Sequence, residues 1–221
     1  MQVLYEDNHL LAVVKPAGLA TMGLAPGRPT LLDMARQYVK ERYQKPGNVY
    51  LGVVSRLDTP VSGVVLLART SKAARRLTEQ FRTRVVEKLY WAIVEGVVTP
   101  PSGEYADWIG RDDRLRRTNV VRQSLPGAKE ARLRYRRLET IGNNSLLEIE
   151  LETGRKHQIR LQLGQRGHPV LGDRKYGSRR EFPVGIALHA RRLVVTHPVK
   201  DERLELEAAV PSVWGKFGVR G

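Results

Sequence analysis

Residues 55 to 70 read SRLDTPVSGVVLLART. The second half, GVVLLART, is an apolar, β-branched run of the length and character of a buried strand. Ahead of it, Thr59, Pro60, Ser62 and Gly63 are turn residues. NVYLGVVSRLD, residues 48 to 58, reads as a second strand leading into that turn. Asp58 therefore stands where two strands meet, with Arg56 two positions before it. An aspartate at a strand end is ordinarily an Asx-turn or cap residue. The same rigid turn would also present a carboxylate for chemistry, and locally both readings stand.

Working outward, strand patterns outnumber helix patterns. LLAVVK, residues 10 to 15, reads as a buried strand stopped by Pro-Ala-Gly, since proline cannot donate to a ladder. KLYWAIVEGVV, ALHARRLVVTHPV and RLELEAAVP follow as further strands. ARLRYRR sets Ala131, Leu133 and Tyr135 against arginines, and LLEIELETG sets Leu147, Ile149 and Leu151 against glutamates. Both are period-2 patterns, joined through Ile-Gly-Asn-Asn as a hairpin. Helical spacing occurs in TLLDMARQYVKERY behind a Thr30 cap, in SKAARRLTEQFRTR behind a Ser71 cap, and over a short stretch of KHQIRLQL. Without a βαβ cadence, the pattern predicts an α+β fold with a mixed, mostly antiparallel sheet and flanking helices. VVTPPSGEYADW is the most loop-like stretch, so one domain over 1–221 is expected, with a seam near 98–108.

Composition narrows the function. The chain has 221 residues, ordinary apolar and charged fractions of 41% and 28%, and a formal charge of +15. That excess favours a polyanionic partner, because lysine and arginine gain by releasing the counterions condensed on phosphates. Residues 111 to 137 hold ten Lys/Arg against three Asp/Glu. Alternating arginines there are either a solvated strand face or a track for a phosphate backbone. With no cysteine, disulfides, thiolate metal sites and cysteine nucleophiles are excluded. No signal-like or membrane-spanning run is present, so a cytoplasmic protein that meets no membrane is expected. No phosphate-binding loop or dinucleotide fingerprint occurs. The five histidines show no metal-ligand spacing, so neither metal nor cofactor is expected.

A second cluster bears on Asp58. TGRKHQIRLQL, residues 153 to 163, packs Arg155, Lys156, His157, Gln158 and Arg160 into six positions after a strong strand. At a helix start His157 and Arg160 share a face, and such a density of planar donors suits an anion or a carboxylate.

Six blocks then occur in order: KPAGLATM (15–22), SRLDTPVSGVVLLART (55–70), EKLYWAIVEG (87–96), LETGRKHQIRLQL (151–163), GHPVLGDRKYG (167–177) and ALHARRLVVTHP (187–198). Together the set resembles the RluA family of RNA pseudouridine synthases, nearly from end to end. The resemblance implies the pseudouridine synthase fold, a bent sheet with a central active-site cleft. It also implies an isomerase that converts selected uridines of structured ribosomal or transfer RNA to pseudouridine. On it, Asp58 is the catalytic aspartate, Arg160 its ion-pair partner, and Tyr90 the tyrosine that stacks on the target base. Arg56 matches the arginine that fills the space of an extruded nucleotide. Lys15 supports the active-site wall, and Arg155, His157 and Gln158 stand as substrate contacts or framework. His168 and Asp173 read as structural.

The chain departs from the family at Ser55, where histidine is usual, and at Val61, where threonine is usual. The catalytic blocks begin close to Met1, so no N-terminal RNA-binding module is expected, and the chain is taken as a monomer. Two other classes fit parts of the pattern. A non-catalytic RNA-binding or ribosome-assembly protein on the same fold accounts for the charge. A glycoside hydrolase would need a second carboxylate, for which Asp112, Asp113 and Asp173 are available.

Overall fold

The computed structural model describes residues 1–23, 27–112 and 117–219. Expectations that fall on Asp113, Arg114 and Arg116 lie outside them. The chain divides into two compact units, one of Met1–Glu87 with Ala190–Pro211, the other of Lys88–His189 with the residues from Ser212.

In the first unit, β1 (Gln2–Glu6) pairs antiparallel with β2 (Leu10–Lys15), and β2 with β4 (Ser62–Ala68), in a register that sets Leu10 opposite Ala68 and Lys15 opposite Gly63. The short β3 (Gly52–Val53) lies on the far end of β4. β10 (Leu188–Thr196) is next to β4 and carries β11 (Arg203–Glu207).

Two helices explain why β2 up to Val14 and β4 from Val64 are apolar without alternating. α1 (Leu31–Arg42) lays Leu31, Leu32, Ala35 and Val39 against Leu11, Val13, Val65 and Leu67. α2 (Ser71–Thr83) lays Ala73 and Leu77 on the other face, against Leu10, Ala12, Val64, Leu66 and Ala68. With both faces covered, the positions from Leu10 to Val14 and from Val64 to Ala68 are all apolar. Each of the larger side chains contributes about 1.5–3 kcal/mol on burial.

α1 starts at Thr30 as expected, in a capping box with Asp33. The α2 cap is Thr70, one residue earlier than read: its backbone is extended and its hydroxyl accepts from the Ala73 amide at 3.2 Å, while Ser71 is already helical. The expected strand over 48–58 is also shorter, only β3. Beyond Val53 the chain leaves β4 to build the turn at Asp58.

In the second unit the strand order is β5 (Glu87–Glu95), β9 (Asn144–Leu151), β8 (Lys129–Ile141), β6 (Ser102–Asp112), β7 (Arg117–Val120), all antiparallel. The β8–β9 hairpin forms as read, turning at Gly142, whose φ is +55°. β1 and β6 were not anticipated. The loop-like reading of residues 97–108 fails because its prolines, Pro100 and Pro101, stand just before β6 and not inside it. In β6, Gly103 leaves room for the Tyr135 ring, which lies 3.0–3.2 Å from where a Cβ would stand. α3 (Gln158–Gln165) follows β9 after a short loop. The α+β, largely antiparallel architecture agrees with the sequence reading.

The alternating arginines of β8 have a definite role. Arg132 pairs with Glu130, Arg134 with Glu104 and Glu152, and Arg136 with Glu148, at 2.7–2.9 Å. This exposed lattice spans β6, β8 and β9 and consumes its own charge. On β8 these pairs fit the solvated strand face of the two alternatives raised above.

Candidate active site

Asp58 occupies the first position of a β-turn closed by the Val61 amide donating to the Asp58 carbonyl at 3.0 Å, with Thr59 and Pro60 at the corner. Two neighbouring segments lock this turn. The Gly18 amide donates to the Thr59 carbonyl at 2.8 Å. Thr21 Oγ1 donates to the Leu57 carbonyl at 2.9 Å and accepts from the Leu57 amide at 3.2 Å.

Lys15 is the centre of this arrangement. It ends β2 with 0% of its surface exposed, and its Nζ donates to the carbonyls of Pro16 at 2.9 Å, Leu19 at 2.6 Å and Thr59 at 3.2 Å. All three ammonium hydrogens are used, which is what makes a buried lysine tolerable. Burial pushes its pKa down to about 8, while the nearby Asp58 carboxylate acts in the opposite direction. The KPAG segment is thus a clamp on the aspartate turn, and Lys15 and Asp58 are brought together. Arg56 is exposed, and among the described residues no hydrogen bond holds its side chain.

The second unit holds the other expected residues. Tyr90 lies half-buried on β5, opposite Ile149 of β9. Arg155 Nε donates to the Glu130 carbonyl at 2.8 Å. Gln158 is buried: its Oε1 accepts from Thr153 Oγ1 at 2.7 Å and the Arg155 amide at 3.0 Å, and its Nε2 donates to the Arg132 carbonyl at 3.0 Å. It fastens the start of α3 to β8. His157 precedes that helix with φ +56°, and its Nδ1 stands 2.7 Å from Tyr176 Oη.

Arg160, buried on α3, makes a bidentate pair with Asp173 at 2.6 and 2.9 Å, and its guanidinium lies 5.1 Å from the centre of the Tyr176 ring. Asp173 and Tyr176 are the residues the sequence reading undervalued. The available signal was an aspartate and an aromatic inside the otherwise basic DRKYG, where a buried arginine on the preceding helix needs a counter-charge.

A turn-mounted carboxylate beside a buried cation, and a buried, oriented arginine, lie in one continuous stretch that matches a known family. The model described as RNA pseudouridylate synthase matches residues 9–165.

The chain belongs to the RNA pseudouridylate synthase family.

Members of this family are isomerases that act on RNA. The synthase is 36% identical over 222 residues to an uncharacterized RNA pseudouridine synthase of Synechocystis, covering 98% of this chain and 68% of that one. It is also 36% identical over 228 residues to ribosomal large subunit pseudouridine synthase D of Pseudomonas aeruginosa, covering 96% and 68%. Among solved structures it resembles human RNA pseudouridylate synthase domain containing 4, with a TM-score of 0.81 and 27% identity over 98% of this chain and 91% of that one. Both the family and the fold agree with the sequence reading, and the non-catalytic and glycosidase alternatives fall away.

Proposed function

We propose that Asp58 is the catalytic carboxylate of this synthase and that its substrate is a uridine of structured ribosomal or transfer RNA. The observation that carries the reading is the clamped turn, a carboxylate beside a fully buried lysine within the family-matched stretch. The name of the Pseudomonas relative supports ribosomal RNA. Because the match at 9–165 runs through both units, they are taken as one catalytic domain, working as a monomer in the cytoplasm, where such RNA is found.

In this reaction the C1′–N1 bond of the uridine breaks, the uracil rotates, and a C1′–C5 bond forms. C5 then loses its proton and N1 gains one, so no cofactor is needed. Asp58 either forms an ester bond to C1′ as N1 leaves and is displaced when C5 attacks C1′, or removes the C2′ proton to give a glycal and returns it as the C1′–C5 bond forms. Both roles need an ionised, oriented carboxylate. Arg160, its Nε and Nη2 edge held by Asp173, offers its remaining N–H donors and its positive charge to Asp58. Tyr90 stacks on the base and stands by the C5 proton. Arg56 fills the gap left by the flipped nucleotide, lowering the cost of extrusion. Arg155 and His157 contact the RNA beside it.

The test is Asp58→Asn assayed by site-resolved pseudouridine mapping of unmodified ribosomal and transfer RNA. Loss of product with RNA binding and melting temperature retained is expected. Turnover by the Asn variant overturns the assignment.

A further inference from the structure

The synthase carries +15, yet much of its exposed arginine is already matched. Besides the β6–β8–β9 lattice, Arg191 and Arg192 pair with Glu207 and Glu205 across β10 and β11, and Arg203 pairs with Glu87. α2 differs. Lys72, Arg75, Arg76, Glu79 and Arg82 recur at three- and four-residue spacing and are all exposed, on the side opposite buried Ala73 and Leu77. Only Arg82 is paired with Glu79, and Arg76 donates to the Pro198 carbonyl. Among the described residues Lys72 and Arg75 have no ion-pair partner.

This charge does not serve the helix. A cation in the first turn opposes the macrodipole, and α2 has no acidic residue there to offset Lys72. α1 of the same unit obeys the rule, with Asp33 in its first turn and Lys40 and Arg42 in its last. Near the start of the same helix lies an aromatic. Tyr50 is 52% exposed, and its hydroxyl end lies over Gly52, where a Cβ would meet Ala74 of α2 at 2.9 Å and the Tyr50 oxygen at 3.0 Å. Without a side chain at Gly52, the Tyr50 hydroxyl fits beside the point where β3 meets Ala74, near the start of α2.

We infer that the outer face of α2, with Tyr50 at its edge, is a docking strip for the ribose–phosphate backbone of the RNA that carries the target uridine. The inference rests on the proposed RNA substrate. Lys72 to Arg82 spans about 15 Å along the axis, enough to face several consecutive phosphates. Tyr50, near the start of the helix, stacks on an unpaired base beside the first of them. The strip belongs to the same unit as Asp58, so RNA held there is held by the body that presents the carboxylate. Its charge is sequence-independent and sets register and affinity, while the choice of uridine is made elsewhere.

Direct binding of an unmodified large-subunit ribosomal RNA transcript, titrated over a range of salt, tests the strip without relying on turnover. The double variant Lys72→Gln/Arg75→Gln is expected to bind about tenfold more weakly, with the slope of log affinity against log salt smaller by about 2. In the turnover assay the same variant raises KM and leaves kcat unchanged. Tyr50→Ala weakens binding about tenfold with the slope unchanged. Arg134→Gln, in the charge-matched lattice, changes binding little. Wild-type affinity and slope in the α2 double variant overturn the inference and point to an acidic protein, or nothing, as the occupant. An equal loss from Arg134→Gln overturns it also, since the effect would then follow total charge. Neither outcome touches Asp58, whose own test is product formation.

Discussion

Arg160 and Asp173 form a buried, two-pronged ion pair, Nε to Oδ2 at 2.6 Å and Nη2 to Oδ1 at 2.9 Å, with side chains only 6% and 1% exposed. The geometry aims the arginine: Asp173 takes two of its donor directions, so the guanidinium plane is set before any substrate arrives. Removing one partner of such a pair leaves an uncompensated buried charge, at about 3–5 kcal/mol. Asp173→Ala should therefore lose about 3 kcal/mol in urea denaturation. It should also lower kcat more than it raises KM. A fully stable, fully active Ala variant would sink the view that Asp173 orients Arg160.

Lys15 gives a pH signature. Its pKa in the folded chain is about 8, below the ordinary 10.5, because burial disfavours the ammonium. Above pH 8 the folded chain therefore binds fewer protons than the unfolded one. Stability due to this site rises with pH from about 8 until the unfolded lysine titrates, and it is flat below. Lys15→Met removes that limb. The stability gap between wild type and Met variant should widen in favour of wild type by up to about 3 kcal/mol, at about 1.4 kcal/mol per unit of pKa. A gap independent of pH between about 7 and 10 refutes the assignment.

Gly63 is the second residue of β4, the strand that leaves the aspartate turn, with φ +122°, and a Cβ there would lie 2.3 Å from the Ala190 carbonyl oxygen and 2.5 Å from its amide nitrogen. Both the backbone angle and the contact forbid a side chain, so Gly63→Ala must part β4 from β10. Strain and overpacking together should cost about 3 kcal/mol or more. A melting temperature within a degree or two of wild type contradicts the close approach.

Asp7 ties the β1–β2 hairpin to residue 197. Its Oδ1 accepts from the His9 and Leu10 amides, each at 2.8 Å, and its Oδ2 lies 2.8 Å from His197 Nε2. Burial pushes the carboxyl up, but the His9, Leu10 and His197 hydrogen bonds outweigh it and hold the pKa below the ordinary value. Its contribution is thus present above the unfolded carboxyl pKa and lost as pH falls through the folded one. Asp7→Ala should lose about 1–3 kcal/mol at neutral pH, with the deficit shrinking toward acid. A deficit that persists unchanged in acid counts against the ionised carboxylate as its source.

Much of the fold was legible because local rules agreed with tertiary needs. The Thr30 box, the β8–β9 hairpin and the alternation of Ala131, Leu133 and Tyr135 each state their structure within a few residues. Misreadings occurred where a local signal competed with a distant one. Pro100 and Pro101 hid β6, whose strand character comes from pairing with β8 on one side and β7 on the other. At Thr70-Ser71 two good caps stand side by side, and the strand leaving β4 decides which one is still extended.

The family and the class of reaction followed from residue order alone, because the six blocks are contiguous stretches whose side-chain types need no third dimension to be compared. The charge needed the fold. The arginines of β8 and those of α2 look alike in one dimension, but strand pairing sets glutamates opposite the first group, while helical spacing leaves Lys72 and Arg75 unmatched. The surroundings of Asp58 and Arg160 were likewise decided only by tertiary structure. Lys15 donates to its near neighbours Pro16 and Leu19 but also to the Thr59 carbonyl of a turn distant in sequence, and Asp173 comes back from a later loop to meet Arg160. Desolvation and ion pairing act between groups that the chain brings together only when folded, so no local pattern can announce them.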